Sequence, residues 1–306
     1  MVCCDCTLTM TSAPLIRQVL INVICLIIVY LPVILLQLLG KPFQRGFYCD
    51  DTSIRYPYKD STVTSAMLYG YSYVLPIVSI IIVEIVRWKL SSPSQNLSSR
   101  NTSSTINSSS RIRIPSEVVE VIHLIAIFLF GAACTEWATD FGKYFIGRLR
   151  PHFLSICQPD NFLEICPPNG LPIYITQFKC TGKNGQRLQD SRMSFPSGHA
   201  SFSSYAMLYL VLYLQSRMNW SGSKLLRPTI QIAALMLTWY TGLSRITDYK
   251  HHWSDVLTGF LIGSTAASLT VLYVSSFFNR PRSSSNMALL QERGDVELQT
   301  AASANK

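Results

Sequence analysis

Apolar residues are gathered into long runs along this chain. Four runs reach the roughly 20 residues that a helix needs to cross a bilayer. They are residues 19–39, 66–86, 118–138 and 256–278. Two shorter runs, 200–214 and 229–243, could alone be buried core helices, but polar sequence beside each one could extend it into the headgroup layer. With both counted, the pattern predicts an all-α polytopic membrane protein with six transmembrane helices.

The composition supports a membrane protein. Hydrophobic residues make up 48% of the chain and charged residues 14%, whereas an ordinary soluble domain has about a quarter charged residues. The formal charge of +9 favours an anionic partner, which could be nucleic acid, a membrane surface or a phosphorylated substrate. Because the apolar runs already require a bilayer, we expect a lipid partner and no nucleic acid.

The predicted spans divide the chain into a membrane domain, 19–279, between a cytosolic N-terminal tail, 1–18, and a disordered cytosolic tail, 280–306. The domain contains a flexible Ser-rich connector at 91–112. It also contains a loop at 152–195 that is too long for a simple connection, and loops of that length usually have a binding or covering role.

The sidedness of the spans depends on the cysteines, because Lys and Arg are evenly divided between the two sides. One side carries an even number of loop cysteines, which favours disulfides in an oxidising compartment. They are Cys49, Cys157, Cys166 and Cys180. Two loop cysteines could pair together and the third with Cys49, but the connectivity stays open. We expect this side to be extracellular or lumenal.

The glycosylation sequons conflict with this orientation, because all of them fall on the opposite side. They begin at Asn96, Asn101, Asn107 and Asn219. Three of the four lie in the Ser-rich stretch, where such triplets arise from composition alone. We therefore give the cysteines more weight.

Polar residues are concentrated at the ends of the predicted spans in three clusters. Such residues are costly at membrane depth, so a cluster of them indicates a functional site. All three clusters fall on the side assigned to the exterior, so they can build a single site. They are residues 143–151, 196–199 and 244–255.

Three cations in these clusters predict a phosphate-binding cradle. Lys143, Arg150 and Arg245 would meet there, since guanidinium groups match phosphate oxygens in bidentate geometry and lysine supplies a point charge. Ser197 and Gly198 precede the predicted start of the fourth span, where unpaired backbone N–H groups and the helix dipole also favour an anion. We expect these five residues to bind phosphate.

Two histidines and one carboxylate are the expected catalytic groups. His251 and Asp255 are four residues apart, so the carboxylate would hydrogen-bond one imidazole nitrogen and leave the other deprotonated as a nucleophile. His199 would protonate the leaving alcohol oxygen. The predicted reaction is in-line displacement at phosphorus, with a phosphohistidine that water then hydrolyses.

A zinc site is the alternative interpretation of the histidines. His199, His251 and His252 are suitable donors, but a zinc ion there would lie beside three cations. Those cations already neutralise charge that develops on the equatorial oxygens. We therefore expect no metal and no cofactor, and we expect His252 to be a loop or packing residue.

The three clusters resemble the signature of the type 2 phosphatidic acid phosphatase superfamily, which also includes vanadium haloperoxidases and bacterial acid phosphatases. That signature reads Lys-x6-Arg-Pro, Pro-Ser-Gly-His and Ser-Arg-x5-His-x3-Asp, and all eleven fixed positions are matched here. The chain is more closely similar to the animal lipid phosphate phosphatases, through residues 42–49, 147–153 and 249–255. Unlike most of them, it has no sequon in loop 152–195, and its Ser-rich connector is longer.

The resemblance implies a helical-bundle phosphatase core of the phosphatidic acid phosphatase and haloperoxidase kind that works without Mg²⁺. The implied site faces the exterior or an organelle lumen, with the plasma membrane as the first expected location and endomembranes as the second. The implied substrates are phosphatidate, lysophosphatidate, sphingosine 1-phosphate and ceramide 1-phosphate. Self-association into homo-oligomers is also implied.

Two other functions are compatible with a six-span membrane protein. A catalytically silent relative would bind lipid phosphates as a signalling scaffold, but it should lack a histidine or a cation of the cradle, and here all are present. A channel should show regularly spaced arginines in one span or a re-entrant filter, and the sequence shows neither. The enzyme is the favoured prediction.

Overall fold

A computed structural model describes residues 12–91, 116–167, 173–218 and 223–275. Its six long helices lie at the six predicted spans, which confirms the all-α class. They are α1 (Ser12–Leu39), α2 (Ser65–Ser91), α3 (Ser116–Ile146), α7 (Gly198–Arg217), α8 (Leu226–Thr247) and α9 (Trp253–Leu269), which continues as a π-helical turn, Thr270–Val274. Short elements between α3 and α7 are α4 (Phe153–Cys157), α5 (Phe162–Ile165) and α6 (Gly185–Asp190).

Four of the long helices are apolar enough and long enough to cross a membrane. These segments are Val19–Leu39, Ser65–Leu90, Val118–Ile146 and Trp253–Val274. Helices α7 and α8 have 20 and 22 residues but are less apolar, so the count of six spans stays a prediction.

Helix α7 lies at the centre of the bundle, where it packs against α2, α3, α8 and α9. Most of its residues are buried, and their polar atoms have partners inside the protein. The Tyr205 hydroxyl donates to the carbonyl of Phe128 at 2.7 Å, and the hydroxyls of Ser204 and Ser264 are 2.9 Å apart. Because protein surrounds α7, it has less need of apolar side chains than a helix that faces lipid.

Two glycines of α9 allow it to pack closely on α7. A Cβ atom at Gly259 would lie 2.6 Å from the carbonyl oxygen of Ser197, and one at Gly263 would lie 2.1 Å from that of Ser201. Small residues four apart let two helix backbones approach in this way. The contact fixes the start of α9 beside the start of α7.

The loops at this end of the bundle form a small second core. Strand β1 (Phe47–Tyr48) pairs antiparallel with β2 (Tyr174–Ile175), with Phe47 opposite Ile175. Disulfides join Cys49 to Cys166 and Cys157 to Cys180, which confirms that the four cysteines can pair and settles the open connectivity. The Cys49–Cys166 bond ties the loop after α1 to the long loop before α7, and the Cys157–Cys180 bond lies within that long loop.

Several predictions lie outside the described residues. They concern the connector 91–112 beyond Ser91, the tail 280–306, residues 1–11 of the N-terminal tail, and the sequons at Asn96, Asn101, Asn107 and Asn219. Residues 12–18 of the predicted N-terminal tail belong to α1.

Candidate phosphate site

The three polar clusters meet at one end of the bundle, where α3 and α8 end and α7 and α9 begin. A cleft of about 150 Å³ is lined there by Lys143, Arg150, Gly198 and His199, among others. Arg245 is buried close enough to act electrostatically on His199. The fold therefore brings the three clusters to one end of the bundle, where residues of the first two line the cleft and Arg245 and His251 of the third are buried beside it.

Each cation of the cradle is paired with a carboxylate in this structure. The pairs are Lys143–Asp140 at 2.8 Å, Arg150–Asp190 at 2.6 Å and Arg245–Asp248 at 3.2 Å. The Nε atom of Arg150 is buried and has no hydrogen-bond partner among the described residues. A buried guanidinium N–H without a partner is costly, so it is suited to donate a hydrogen bond to an oxyanion of a ligand.

Gly198 allows the ammonium of Lys143 to reach the start of α7. A Cβ atom at residue 198 would lie 3.0 Å from Lys143 Nζ, so any larger residue would push the cation away. Ser197 is the N-cap of α7, and its hydroxyl accepts from the backbone N–H of Ala200 at 3.5 Å. The hydroxyl of Ser197 thus caps the helix. The other backbone N–H groups of the first turn of α7 are left to bind an anion.

His251 is held through the backbone of Ser194. Its Nδ1 atom lies 2.6 Å from the carbonyl oxygen of Ser194. Because a carbonyl can only accept, Nδ1 carries the proton and Nε2 keeps its lone pair. This is the protonation state that a nucleophilic imidazole needs.

The partner of Asp255 differs from the prediction. Its Oδ2 atom lies 3.9 Å from Nδ1 of His251 and accepts instead from the Ser194 hydroxyl at 2.6 Å and from the backbone N–H of His252 at 3.0 Å. The reason is that Asp255 is the N3 residue of α9 and forms a capping box with His252. Asp255 therefore reaches His251 only through Ser194.

Burial and nearby positive charge keep His251 neutral. Burial lowers the pKa of His251 well below its ordinary value, and Arg150, His199 and Lys143 lower it further. The Nε2 lone pair is therefore available across the whole physiological pH range.

His199 lies on the cleft wall at the start of α7, and its Nε2 atom is 3.2 Å from the carbonyl oxygen of Val63. Burial, followed by the nearby cations, lowers the pKa of His199 and disfavours its protonated form, whereas a bound phosphate dianion would favour that form. A ligand in the cleft would thus prepare His199 to act as an acid.

The PAP2 superfamily model matches residues 122–279, a stretch that contains all eight predicted catalytic and phosphate-binding residues. The chain belongs to the PAP2 superfamily. Phospholipid phosphatase 1 of Rattus norvegicus is 43% identical over 274 residues, which are 90% of this chain and 90% of that protein. Phospholipid phosphatase 2 of Homo sapiens is 39% identical over 260 residues, which are 85% of this chain and 83% of that protein. No solved structure matches the chain.

In this PAP2 superfamily member, five residues of the site went unnoticed in the sequence. They are Asp140, Arg148, Asp190, Ser194 and Asp248. Two of the pairs, Lys143 with Asp140 and Arg245 with Asp248, have helical i, i+3 spacing that the sequence displays. The contact of Arg148 with Asp255 and that of Ser194 with His251 depend on how the loops fold and have no such signal.

Proposed function

We propose that this protein removes phosphate from lipid phosphomonoesters without Mg²⁺. The substrates are phosphatidate, lysophosphatidate, sphingosine 1-phosphate and ceramide 1-phosphate. The observation that supports this most is that three cations and two imidazoles lie together at one end of the helical bundle, where Lys143, Arg150 and His199 line a cleft and Arg245 and His251 are buried beside it. The phospholipid phosphatases among the relatives support the same chemistry.

In the first step, Nε2 of His251 attacks phosphorus in line with the ester oxygen. The P–N bond forms as the P–O ester bond breaks, and the leaving oxygen takes a proton from His199. Lys143, Arg150 and Arg245 stabilise the charge on the three equatorial oxygens. The products are a lipid alcohol, such as diacylglycerol, and a phosphohistidine at residue 251.

In the second step, water attacks the phosphohistidine. His199, now neutral, takes a proton from that water, and the P–N bond breaks with its electron pair returning to Nε2 of His251. Inorganic phosphate leaves, and both imidazoles regain their starting states. The cycle balances without a further reactant.

Three residues orient the nucleophile in this scheme. The carbonyl of Ser194 accepts from Nδ1 of His251, and the hydroxyl of Ser194 donates to Asp255. Asp255 is also paired with Arg148, which donates a second hydrogen bond to Ser254 at 2.8 Å. Asp255 thus acts by fixing Ser194, and the imidazole keeps one tautomer and one direction.

The proposed site faces the extracellular or lumenal side of the membrane. Two disulfides lie in the loops at the same end of the bundle as the cleft, and disulfides persist in oxidising compartments. The plasma membrane is the proposed main location and endomembranes a second one. Homo-oligomers stay a prediction.

Lipid substrates reach the proposed site from within the membrane. The cleft wall includes apolar side chains of α2 and α7, namely Leu68 and Phe202, beside the cations. A lipid with its phosphate at the cradle can thus keep its chain among apolar groups, and no soluble carrier is required.

A substrate panel on intact and permeabilised cells tests both the chemistry and the sidedness. With EDTA present, we expect cells expressing the protein to release phosphate from added lipid phosphates before permeabilisation. Release only after permeabilisation would reverse the orientation. If none of the four lipids lost phosphate in either preparation, the phosphatase proposal would be wrong.

A further inference from the structure

Glu136 is a carboxylate of α3 that lines the same cleft as Lys143 and His199. It lies within the candidate span Val118–Ile146, where an ionised side chain is expensive unless it has a partner or a function. The neighbouring hydroxyl of Tyr69, which lines the same cleft, is neutral. The mechanism proposed above gives this carboxylate no task.

The neighbouring carboxylate, one turn further along α3, is fully engaged. Oδ1 of Asp140 accepts from Lys143 at 2.8 Å, and Oδ2 accepts from the amide of Gln37 at 2.7 Å. No cationic nitrogen within the described ranges forms an ion pair with Glu136. Glu136 therefore lines the cleft with acceptor capacity that a ligand can use.

The position of Glu136 along α3 indicates which part of a ligand it faces. It precedes Lys143 by seven residues, or about 10 Å of helix at 1.5 Å per residue. A phosphate beside Lys143 would be repelled by a carboxylate in contact with it, so Glu136 is not a phosphate ligand. Glu136 shares the cleft wall with the apolar side chains of Leu68 and Phe202, where the lipid backbone beyond the ester oxygen would lie.

We propose that Glu136 is a specificity-determining residue that binds an ammonium group on the carbon next to the phosphate ester. This inference rests on the proposed phosphatase function and names the preferred substrate class, the sphingoid-base phosphates. An ammonium there would donate to the carboxylate and neutralise it. A diacyl lipid phosphate places an ester at that carbon, which only accepts hydrogen bonds and leaves Glu136 unpaired.

The wild-type protein allows a test that needs no variant. The probes are 2-aminooctadecyl phosphate and octadecyl phosphate, which share a chain and a phosphate and differ only in the amine. We expect kcat/KM to be about tenfold higher for the amine, since a hydrogen bond to a charged group contributes about 1.5 kcal/mol or more. Equal values for the two probes would overturn the inference while leaving the phosphatase function intact.

The variant Glu136→Gln assigns the preference to this side chain. It keeps the size of the side chain but removes the charge, so we expect the ratio of the two kcat/KM values to fall about tenfold. The exposed Glu164, in the loop layer, gives a matched control, and Glu164→Gln should keep the wild-type ratio.

A ratio unchanged in Glu136→Gln would place the preference elsewhere and overturn the assignment. Because both probes are measured on one preparation, partial misfolding cancels from the ratio. Absence of turnover with both probes in the wild type would contradict the proposed function itself, which is a different result from equal turnover.

Discussion

Helix α7 and the outer wall of the bundle differ in how apolar they are and in how much of each is buried by protein. The outer wall consists of α1 and the outward sides of α2 and α3. In α1 only 6% of the most apolar stretch is buried, and the helix packs mainly on α3. Helix α7 is less apolar, yet most of its residues are buried and its start lines the cleft proposed to bind phosphate.

This difference teaches that hydropathy reports contact with lipid rather than depth in the membrane. A helix enclosed by other helices can carry serines and tyrosines because protein groups satisfy them. An inner helix is therefore the place where polar chemistry can be kept at membrane depth. If so, equal substitutions should have large effects beside α7 and small ones in the outer wall.

The largest contrast is expected between two histidines. His251→Ala removes the proposed nucleophile and should lower phosphate release from phosphatidate at least about a thousandfold in detergent micelles with EDTA. His123, exposed on α3, is the matched residue of the outer wall, and His123→Ala should retain near-normal turnover. Full activity in His251→Ala would remove the nucleophile from the mechanism.

Arginine geometry should give the next largest effect. Arg150→Lys keeps the charge but loses the fork and the buried Nε, so we expect kcat/KM to fall about a hundredfold. The exposed Arg45 in the first loop is the control, and Arg45→Lys should leave kcat/KM unchanged. Normal turnover by the Arg150 variant would mean that a point charge is sufficient.

The link between Asp255 and His251 should have an intermediate effect. Ser194→Ala keeps the carbonyl that binds Nδ1 but removes the hydroxyl that Asp255 holds, so we expect kcat to fall about tenfold with little change in KM. Ser155→Ala removes a hydroxyl that bonds only its own helix start and serves as the control. A change in KM alone would instead indicate a binding role for Ser194.

Helix packing gives a contrast in stability. Gly263→Ala would place a methyl group against the backbone of α7 and should lower the free energy of unfolding by about 1–3 kcal/mol. Gly70, in α2, has open space where its Cβ would lie, so Gly70→Ala should be neutral or slightly stabilising. Thermal unfolding of both purified variants in one detergent measures the difference, and equal losses would contradict the close α7–α9 contact.

The smallest expected effect is a pH dependence confined to the loops. Burial, helped by Arg150 and Lys250, lowers the pKa of His152 from 6.5 to about 4. Between about pH 6.5 and 4 His152 is therefore protonated in the unfolded chain but not in the folded one. The free energy of unfolding should fall as the pH drops through this range. In His152→Gln the melting temperature should depend less on pH between about 6.5 and 4 than it does in the wild type. The same pH dependence in the variant and the wild type would exclude His152 as the cause.

The long helices and the convergence of the site clusters were predictable from sequence. Apolar runs located all six helices, because lipid imposes a length and a composition on each span. The shared sidedness of Lys143, His199 and Arg245 followed from counting spans, and the structure does bring them to one end. For α7 the apolar run, 200–214, is shorter than the helix, Gly198–Arg217, because protein encloses this helix and its residues can be polar.

The contacts that depend on loop folding were beyond the sequence. Asp255 was expected to bind His251 directly because the i, i+4 spacing fits a helix, but His251 precedes α9 and only Asp255 lies within it. Asp190, at the end of α6, meets Arg150 across forty residues of loop and short elements, and no local pattern in the sequence indicates that contact. The carbonyl of Ser194 serves the site through its backbone, which any residue could supply.

The Cys49–Cys166 bond closes a ring of chain that contains α2, α3 and the segment between them. A single protease cut anywhere inside that ring leaves the two pieces covalently joined. On a denaturing gel the nicked protein should therefore run as one species until a reductant separates its halves.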